Sequence, residues 1–401
     1  MKPKLKIKEW QLLALLACIQ FTHILDFVII MPLGPQLMKF FSINPRQFGL
    51  IVSSYTFSAG FAGLVSALFI DKFDRKASLN TSYLGFIIGT LSCGFAPSYE
   101  TLLLARTLAG AFGGVLGATI FSIVGDLIPY ERRGKATGTI MSAFSVASVA
   151  GVPIGLYLAT LFTWRMPFYS LAAISTIIIL FSHFLHPPVR EHLTRKPKNP
   201  HNPFKALLAI FRNPNHLWSF SLIMTLMFAG FSVIPFIAPY LVSNVGLSEK
   251  QLAYVYLFGG GATFFTARII GSLADKFGKQ PVFMTIAGLS MVPIIIVTNL
   301  PKLEILYVLL ATTLFFILVS GRFIPAMAMI TSSVHPENRG GFMSVNSSIQ
   351  QVSAGLASLI SGMILVESSN KELLNYPKVG IMACCATVIC IFISRKLKVA
   401  S

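Results

Sequence analysis

Two short stretches of the chain share one pattern: ALFIDKFDR at residues 67–75 and GSLADKFGK at residues 271–279. Each places Asp-Lys-Phe at the end of a long apolar run, and a basic residue follows two positions later. The two aspartates, Asp71 and Asp275, are 204 residues apart. Such a duplication predicts that the chain consists of two structurally similar halves.

A second pair of stretches supports the same register. YERRGKATG at residues 130–138 returns as PENRGGFMS at residues 336–344, at an offset of 206 residues. Two independent matches at nearly one spacing favour a duplicated fold over a chance repeat of one loop.

Composition places these halves in a membrane. The chain has 401 residues, of which 54% are hydrophobic and 11% charged, and its mean hydropathy is +0.73. Soluble domains carry about 25% charged residues, and a membrane-spanning helix needs about 20 predominantly apolar residues. The sequence therefore predicts an all-α membrane protein with twelve transmembrane helices in two six-helix repeats. The predicted spans are 10–37, 47–70, 77–95, 99–127, 135–161, 166–185, 216–243, 249–274, 280–299, 303–330, 341–366 and 375–393.

The basic charge of the chain reflects its predicted topology. With the N-terminus inside, cytoplasmic segments hold 22 of the 32 Lys and Arg residues, and external loops hold 7. This asymmetry predicts that both termini are cytoplasmic, in a multi-pass protein of the inner membrane. The net charge of +18 therefore does not indicate a nucleic-acid partner, and we expect membrane lipid and a small-molecule substrate as partners of a monomer. The five cysteines fall in apolar spans without a C-x-x-C pattern, so we expect no disulfide and no metal site.

A polar, proline-rich segment separates the predicted halves. We expect an N-terminal bundle at residues 1–185, a cytoplasmic linker at 186–215 and a C-terminal bundle at 216–401. A short amphipathic helix near 203–211 would rest on anionic lipid, although a solvated linker fits the composition equally well.

The chain resembles the Major Facilitator Superfamily. ALFIDKFDRK and GSLADKFGK are similar to the family's loop motif, and LLARTLAGAFGGVLGA to its motif on the fourth span. VASVAGVPIGLYLA is similar to the proline-glycine motif of antiporters, with Gly-Val-Pro in place of Gly-Pro, and TWRMPF matches a motif of the drug/H+ antiporter and arabinose-efflux-permease-like branch. The resemblance covers the whole chain. It implies the major facilitator fold, alternating access and proton-coupled export, with protons as the coupling ion and no cofactor.

Charged residues well inside the predicted spans are the main functional candidates, because each costs at least ~2.5–3.5 kcal/mol to insert. Asp26 lies about sixteen residues after Trp10, which is roughly 24 Å along a helix. Arg106 lies about seven residues after Tyr99, where span 4 is predicted to start on the outer side of the membrane. This is a depth of roughly 10 Å. These depths are compatible with an Asp26–Arg106 pair, and a proton on Asp26 would release Arg106. His23, one turn before Asp26, is a candidate proton relay. The alternative is that the pair only joins two helices and that His23 fills space.

The duplicated loop predicts a gate. The candidate gating residues are Asp71, Lys72, Arg75, Lys76, Asp275 and Arg339. By resemblance, this loop would latch the two halves on the cytoplasmic side, with the start of span 11 as its partner. The alternative is a solvated basic loop that only sets topology.

Helix kinks are predicted in span 5 from Gly151, Pro153 and Gly155, which would also allow close packing against span 8. Arg268 and Arg322 are candidates for binding an anionic substrate, against the alternative of a structural charge cluster or of arginines that reach the membrane interface. The other candidate substrate-binding residues are aromatic or carry amides: Tyr55, Phe57, Tyr157, Phe231, Phe236, Tyr240, Tyr256, Asn346 and Gln350.

Two functions remain open from the sequence. The first is proton-coupled efflux of amphipathic small molecules, such as drugs or metabolites. The second is transport of anionic metabolites, such as carboxylates or a siderophore, which the excess of arginines inside the spans favours. An enzyme is not expected, because the sequence has no nucleotide-binding loop or nucleophile constellation.

Overall fold

The computed structural model describes residues 9–66, 69–185, 208, 210–335 and 339–398. For Asp71 and Arg339 only the backbone is described. The predicted amphipathic helix at 203–211 lies almost wholly outside the described residues.

The first half contains six long helices, which we call spans 1 to 6. They are Glu9–Ile29, Pro45–Ser66, Arg75–Phe95, Tyr99–Leu127, the two-part span 5 (Tyr130–Val146 and Val152–Leu161, joined by the π-helical turn Ala147–Gly151) and Met166–Leu185. A short helix, Gly34–Phe41, follows span 1, and a 3₁₀ turn, Ile70–Lys72, precedes span 3.

The second half repeats this order as spans 7 to 12. They are the three-part span 7 (Pro214–Phe231, Ile234–Tyr240 and the π-helical turn Leu241–Val245), Glu249–Phe277, Lys279–Thr298, the two-part span 10 (Ile305–Gly321 and Phe323–Ser332), Arg339–Ile364 and Tyr376–Ser394. A two-stranded antiparallel hairpin, β1 (Val366–Glu367) and β2 (Leu373–Leu374), joins the last two spans and pairs Val366 with Leu374.

The 204-residue register seen in the sequence also holds for the helices. Span 2 begins at Pro45 and span 8 at Glu249, while span 3 begins at Arg75 and span 9 at Lys279. Each pair of starts is 204 residues apart, so residues at that offset occupy equivalent places in the two halves.

Prolines explain why three predicted spans are broken. Span 1 ends at Ile29 rather than near residue 37, because Pro32 has no N–H to donate to the carbonyl of Val28, which accepts instead from Met31 at 3.2 Å. Pro235 and Pro325 have the same effect on spans 7 and 10.

Ten helices of the described part of the chain are long and apolar enough to cross a membrane. Arg75–Phe95 and Arg339–Ile364 are also long enough but more polar, with 21 and 26 residues. Their polar side chains face neighbouring helices at several points, such as the fully buried Asn346. Together the helices form the expected all-α fold of twelve spans in two six-helix repeats.

We name the two ends of the bundle by the chain. The terminal face is where span 1 begins and span 12 ends, and the far face is where the helix Gly34–Phe41 lies. Spans 2 and 11 pack together, as do spans 5 and 8, and these contacts join the halves. Glycines allow the close approach: a Cβ at Gly260 of span 8 would lie 2.5 Å from the carbonyl oxygen of Ser148 in span 5.

Candidate functional site

A buried ion pair lies in the first half. Nη1 of Arg106, from span 4, donates to Oδ2 of Asp26, from span 1, at 2.8 Å. The same Nη1 donates to the backbone oxygen of Asp26 at 3.1 Å. Both side chains are 0% exposed, so each charge is balanced by its partner rather than by water. The structure thus brings together the two residues that the sequence singled out.

Two further residues contact this pair. Oγ1 of Thr90, from span 3, donates to Oδ1 of Asp26 at 3.1 Å. The guanidinium carbon of Arg106 lies 4.2 Å from the ring centroid of Tyr55 in span 2, a cation–π contact. Four helices therefore meet at Asp26. Nε and Nη2 of Arg106 have no hydrogen-bond partner among the described residues. These two nitrogens can therefore donate to a group that approaches the site.

His23 lies one turn from Asp26 and is 8% exposed. Neither of its ring nitrogens has a hydrogen-bond partner among the described residues. A Cβ at Gly113 would lie 2.8 Å from Nε2 of His23 and equally close to the hydroxyl of Tyr55, so this glycine makes room for both. The relay role of His23 stays a prediction.

An aromatic stack connects this site to the second half. The ring of Phe27 lies 5.6 Å from Tyr55 and 5.7 Å from Phe231 of span 7, centroid to centroid. Phe27 directly follows Asp26 in the chain and Phe231 is its equivalent at the 204-residue offset. The two repeats therefore meet beside the ion pair.

The second half also contains a buried arginine. Arg322 lies at the break in span 10 and is 1% exposed. Its Nη1 donates to the hydroxyl oxygens of Ser290 at 3.1 Å and Thr387 at 2.8 Å. Nη2 has no hydrogen-bond partner among the described residues.

The remaining predicted substrate residues are dispersed. Tyr256 is buried, and its hydroxyl lacks a partner among the described residues. Asn346 is fully buried, and neither atom of its amide has a partner among them. Gln350 is half-buried on the same helix. These three residues keep polar groups available inside the protein.

Several other predicted substrate residues are occupied by contacts with other parts of the protein. The hydroxyl of Tyr240 donates to the backbone oxygen of Leu300 at 3.0 Å. Phe236 packs 5.8 Å from Phe48 near the far face, and Phe57 lies beside Gly355 where spans 2 and 11 meet. Their packing explains why aromatic residues alone do not mark a binding site.

Two other predicted substrate residues are exposed. Tyr157 is 59% exposed and lies in a stripe with Ile154 and Leu161, both also exposed. Such an apolar stripe is typical of a surface that faces lipid. Arg268 is exposed, and its guanidinium carbon lies 5.4 Å from the ring centroid of Phe264; its substrate role stays a prediction.

The predicted gating residues have mixed surroundings. Arg75 is buried, and its Nε donates to Oδ2 of Asp126 in span 4 at 2.8 Å. Lys76 donates to the backbone oxygen of His183 at 2.7 Å. Both bonds stay within the first half. Lys72 and Asp275 are exposed, and the side chains of Asp71 and Arg339 lie outside the described residues.

The kink motif lies where span 5 packs against both span 1 and span 8. A Cβ at Gly151 would lie 2.9 Å from Leu25, and one at Gly155 would lie 2.7 Å from Ile29. These two glycines face span 1, while span 8 packs against both the π-helical turn, at Ser148, and the helix Val152–Leu161. Pro153 follows that turn and is buried.

Sequence reasoning missed three polar partners: Thr90, Ser290 and Thr387. Hydroxyl residues are common inside membrane helices, so the sequence carries no signal that separates these from the rest. Asp126 was also missed, although it lies near the end of the predicted span 99–127. An acidic residue inside an apolar span was the available signal.

Comparisons with known proteins agree with this architecture. The sequence profile described as "Major Facilitator Superfamily" matches residues 16–358 and 220–398. The uncharacterized MFS-type transporter YwfA of Bacillus subtilis (strain 168) is 26% identical over 368 residues, which cover 90% of this chain and 86% of that protein. A probable sugar efflux transporter of Pasteurella multocida (strain Pm70) is 26% identical over 57% of this chain and 55% of its own length.

Solved structures show the same fold. A D-xylose-proton symporter superposes with a TM-score of 0.78 at 15% identity, covering 95% of this chain and 97% of that one. A bacterial homolog of the human lysosomal transporter Spinster superposes with a TM-score of 0.72 at 19% identity, covering 97% and 94%. With twelve spans in two repeats and a family profile that matches across the chain, this multi-pass membrane protein is a transporter, not an enzyme, and belongs to the Major Facilitator Superfamily.

Proposed function

We propose that this transporter couples proton movement to the export of amphipathic small molecules. The observation that carries the proposal is the Asp26–Arg106 pair, a carboxylate and a guanidinium 2.8 Å apart with no exposed surface. Ionisable groups inside a membrane protein are costly, and they typically mark ion or proton pathways.

The proposed cycle uses the pair as a switch. When Asp26 takes up a proton it loses its charge, and Arg106 loses its counter-ion. The guanidinium then turns its free donors, Nε and Nη2, toward other acceptors. Because Phe27 follows Asp26 and stacks on Phe231, a shift of span 1 is transmitted to the contact between the repeats. Alternating access requires such a rearrangement of one repeat against the other.

The orientation and gate belong to the same proposal. The terminal face would be cytoplasmic, following the distribution of Lys and Arg, and the protein would lie in the inner membrane as a monomer surrounded by lipid. The halves would be residues 1–185 and 216–401, joined by the linker 186–215. Asp71, Lys72, Asp275 and Arg339 would form the cytoplasmic gate, with Arg75 and Lys76 holding the loop on spans 4 and 6.

Proton movement in proteoliposomes tests the proposal. An internal pH dye would report the response to lipophilic cations, neutral drugs and carboxylates, with wild type and Asp26→Asn side by side. We expect a compound-driven proton flux that disappears in Asp26→Asn. Because this variant leaves Arg106 without a counter-ion, the double variant Asp26→Asn/Arg106→Gln serves as a folded, uncoupled control. An unchanged flux in both variants would remove Asp26 from the mechanism.

Transport of anionic metabolites is the second candidate. The observation that favours it is Arg322, whose buried guanidinium contacts two neutral hydroxyls.

A further inference from the structure

Arg322 has no counter-ion among the described residues. Its neighbours Ser290 and Thr387 are neutral, and the ion pairs of the described residues involve Arg75, Arg106 and Arg132. In spans 7 to 12 the described acidic residues lie at the ends of the helices or in the hairpin: Glu249, Asp275, Glu304, Glu367 and Glu372. A buried charge without a partner is costly, so an anion that reaches Arg322 would be strongly attracted.

The duplication shows where such an anion would sit. Phe27 and Phe231 are equivalent in the two repeats and stack on each other. The residue before Phe27 is Asp26, and the residue before Phe231 is Gly230. The second half thus has a glycine in the place of the aspartate.

Arg322 is directed at this glycine. A Cβ at Gly230 would lie 3.9 Å from Nη2 of Arg322, and Nη2 is the nitrogen without a hydrogen-bond partner. Arg322 lies about three turns further along span 10 than Arg106 does along span 4, yet both guanidiniums reach equivalent positions on spans 1 and 7. In the first half the chain supplies the carboxylate, whereas in the second half it does not.

We propose that Arg322, with Gly230 beside it, is a binding site for a carboxylate group of the transported molecule, which takes the place that Asp26 has in the first half. Arg322 would bind it through Nη2, while Ser290 and Thr387 hold Nη1 in position. The other side chains nearest to a Cβ at Gly230 are Ile234 and Val319, at 3.8 and 3.9 Å. The group attached to the carboxylate would therefore be apolar.

This inference rests on the proposed function, because alternating access must open the interior for a ligand to reach a residue that is 1% exposed. It narrows the substrates to amphipathic carboxylates. It also places the ligand one residue from Phe231, which stacks on Phe27 beside the coupling pair. Substrate and proton sites would then communicate through two stacked rings.

Equilibrium binding in detergent tests the site without a proton gradient. The probes are benzoate, its neutral analogue benzamide, and chloride at the same ionic strength, each titrated while the unfolding temperature is recorded. We expect benzoate to raise the unfolding temperature of wild type, and benzamide and chloride to have little effect. In Arg322→Gln the Kd for benzoate should rise at least about tenfold, since an interaction with a buried charge is lost.

Substitutions at Gly230 provide a sharper control. There is ordinary space for a Cβ at this position, so Gly230→Ala should fold, but its methyl group would take part of the proposed site and should weaken benzoate binding. Gly230→Asp supplies an internal counter-ion: we expect it to be at least as stable as wild type without ligand and to lose benzoate binding. The isosteric Gly230→Asn fills the same space without a charge, so only Gly230→Asp should raise the unfolding temperature in the absence of ligand, and this difference isolates charge from shape.

Several results would overturn the assignment. They are equal effects of benzoate and benzamide, an equal effect of chloride, or benzoate binding that persists in both Arg322→Gln and Gly230→Asp. Asp26→Asn/Arg106→Gln keeps Arg322, Ser290 and Thr387, so it should still bind benzoate more tightly than Arg322→Gln does. Loss of proton coupling and loss of carboxylate binding are therefore separate readouts.

Discussion

At the residue scale, the coupling function proposed for the Asp26–Arg106 pair comes with a cost to stability. Both charges are removed from water, and their attraction offsets that penalty only while both partners are present. Thr90 adds one hydrogen bond to the carboxylate at 3.1 Å. The pair is therefore sensitive to the removal of either member, as a switch that responds to one proton must be.

A double-mutant cycle tests this dependence. We expect Arg106→Gln alone to destabilise the protein by about 3–5 kcal/mol, because Asp26 remains as a buried charge without a partner. The double variant Asp26→Asn/Arg106→Gln should recover much of this loss. Unfolding in detergent, followed by intrinsic fluorescence, measures both. Equal losses in the single and double variants would show that the two side chains are not coupled.

Tyr55 offers a second test at this scale. Its ring lies 4.2 Å from the guanidinium carbon of Arg106, but its hydroxyl has no partner among the described residues. Tyr55→Phe should therefore retain transport within about twofold, while Tyr55→Ala should lose most of it, because it removes a cation–π contact worth about 2 kcal/mol when desolvated. The initial rate of compound-driven proton flux is the measurement. A large loss in Tyr55→Phe would instead give the hydroxyl a direct role.

The residues that could be predicted from sequence were those with a large cost of burial. Asp26 and Arg106 were found because charged side chains inside a membrane are costly and are typically functional. Thr90 and Tyr55 depend on how spans 2 and 3 are rotated, and rotation is set by packing that a single sequence does not display. Helix rotation also decides the surroundings of Tyr157. Its residue type fits a cavity, but its side chain lies on an exposed face of the helix.

At the scale of elements, we expect the contact between spans 5 and 8 to rearrange during alternating access, because it joins the two halves. Gly260 faces the carbonyl of Ser148 at the π-helical turn, where a Cβ would lie 2.5 Å from that oxygen. Backbone atoms cannot move aside as a side chain can. The close approach of these two helices therefore depends on one missing methyl group.

Two adjacent glycines make a matched experiment. Gly260→Ala should reduce transport at least about tenfold, because it pushes spans 5 and 8 apart, yet each half should remain folded. Gly261→Ala is the control, since a Cβ there meets no atom within 4 Å and alanine is favourable in a helix. The measurement is the transport of labelled substrate by each variant, normalised to the amount of purified protein. Similar activity in the two variants would contradict the packing argument.

The breaks in the helices were only partly predictable. Pro32, Pro235 and Pro325 each remove a donor and interrupt a span, which the sequence displays directly. The predicted boundaries nevertheless ran through all three breaks, because hydropathy continues across them. Apolar composition indicates which segments lie in the membrane. Backbone hydrogen bonding determines where each helix ends.

At the scale of the whole molecule, the two halves are joined at the far face. Nε2 of Gln36 donates to Oε2 of Glu249, the first residue of span 8, at 2.8 Å. Phe48 and Phe236 pack nearby, 5.8 Å apart. Polar and apolar contacts together close this end of the interface between the repeats.

Cross-linking tests whether this closure opens during transport. Gln36→Cys/Glu249→Cys, in a background without the native cysteines, would be treated with a short bifunctional methanethiosulfonate reagent. We expect transport to stop and to recover on reduction, because a cross-link prevents the far face from opening. The single cysteine variants, treated in the same way, should remain active. Full transport by the cross-linked protein would place the moving interface elsewhere.

The central claim is that Asp26 couples proton movement to transport. The most direct measurement compares two activities of Asp26→Asn/Arg106→Gln in proteoliposomes: exchange of labelled substrate at equal pH, and accumulation of substrate driven by a pH gradient. The account predicts that exchange persists, since the fold and the substrate site are intact, while accumulation is lost. Accumulation at the wild-type level would contradict it, because the proton would then be carried by another group.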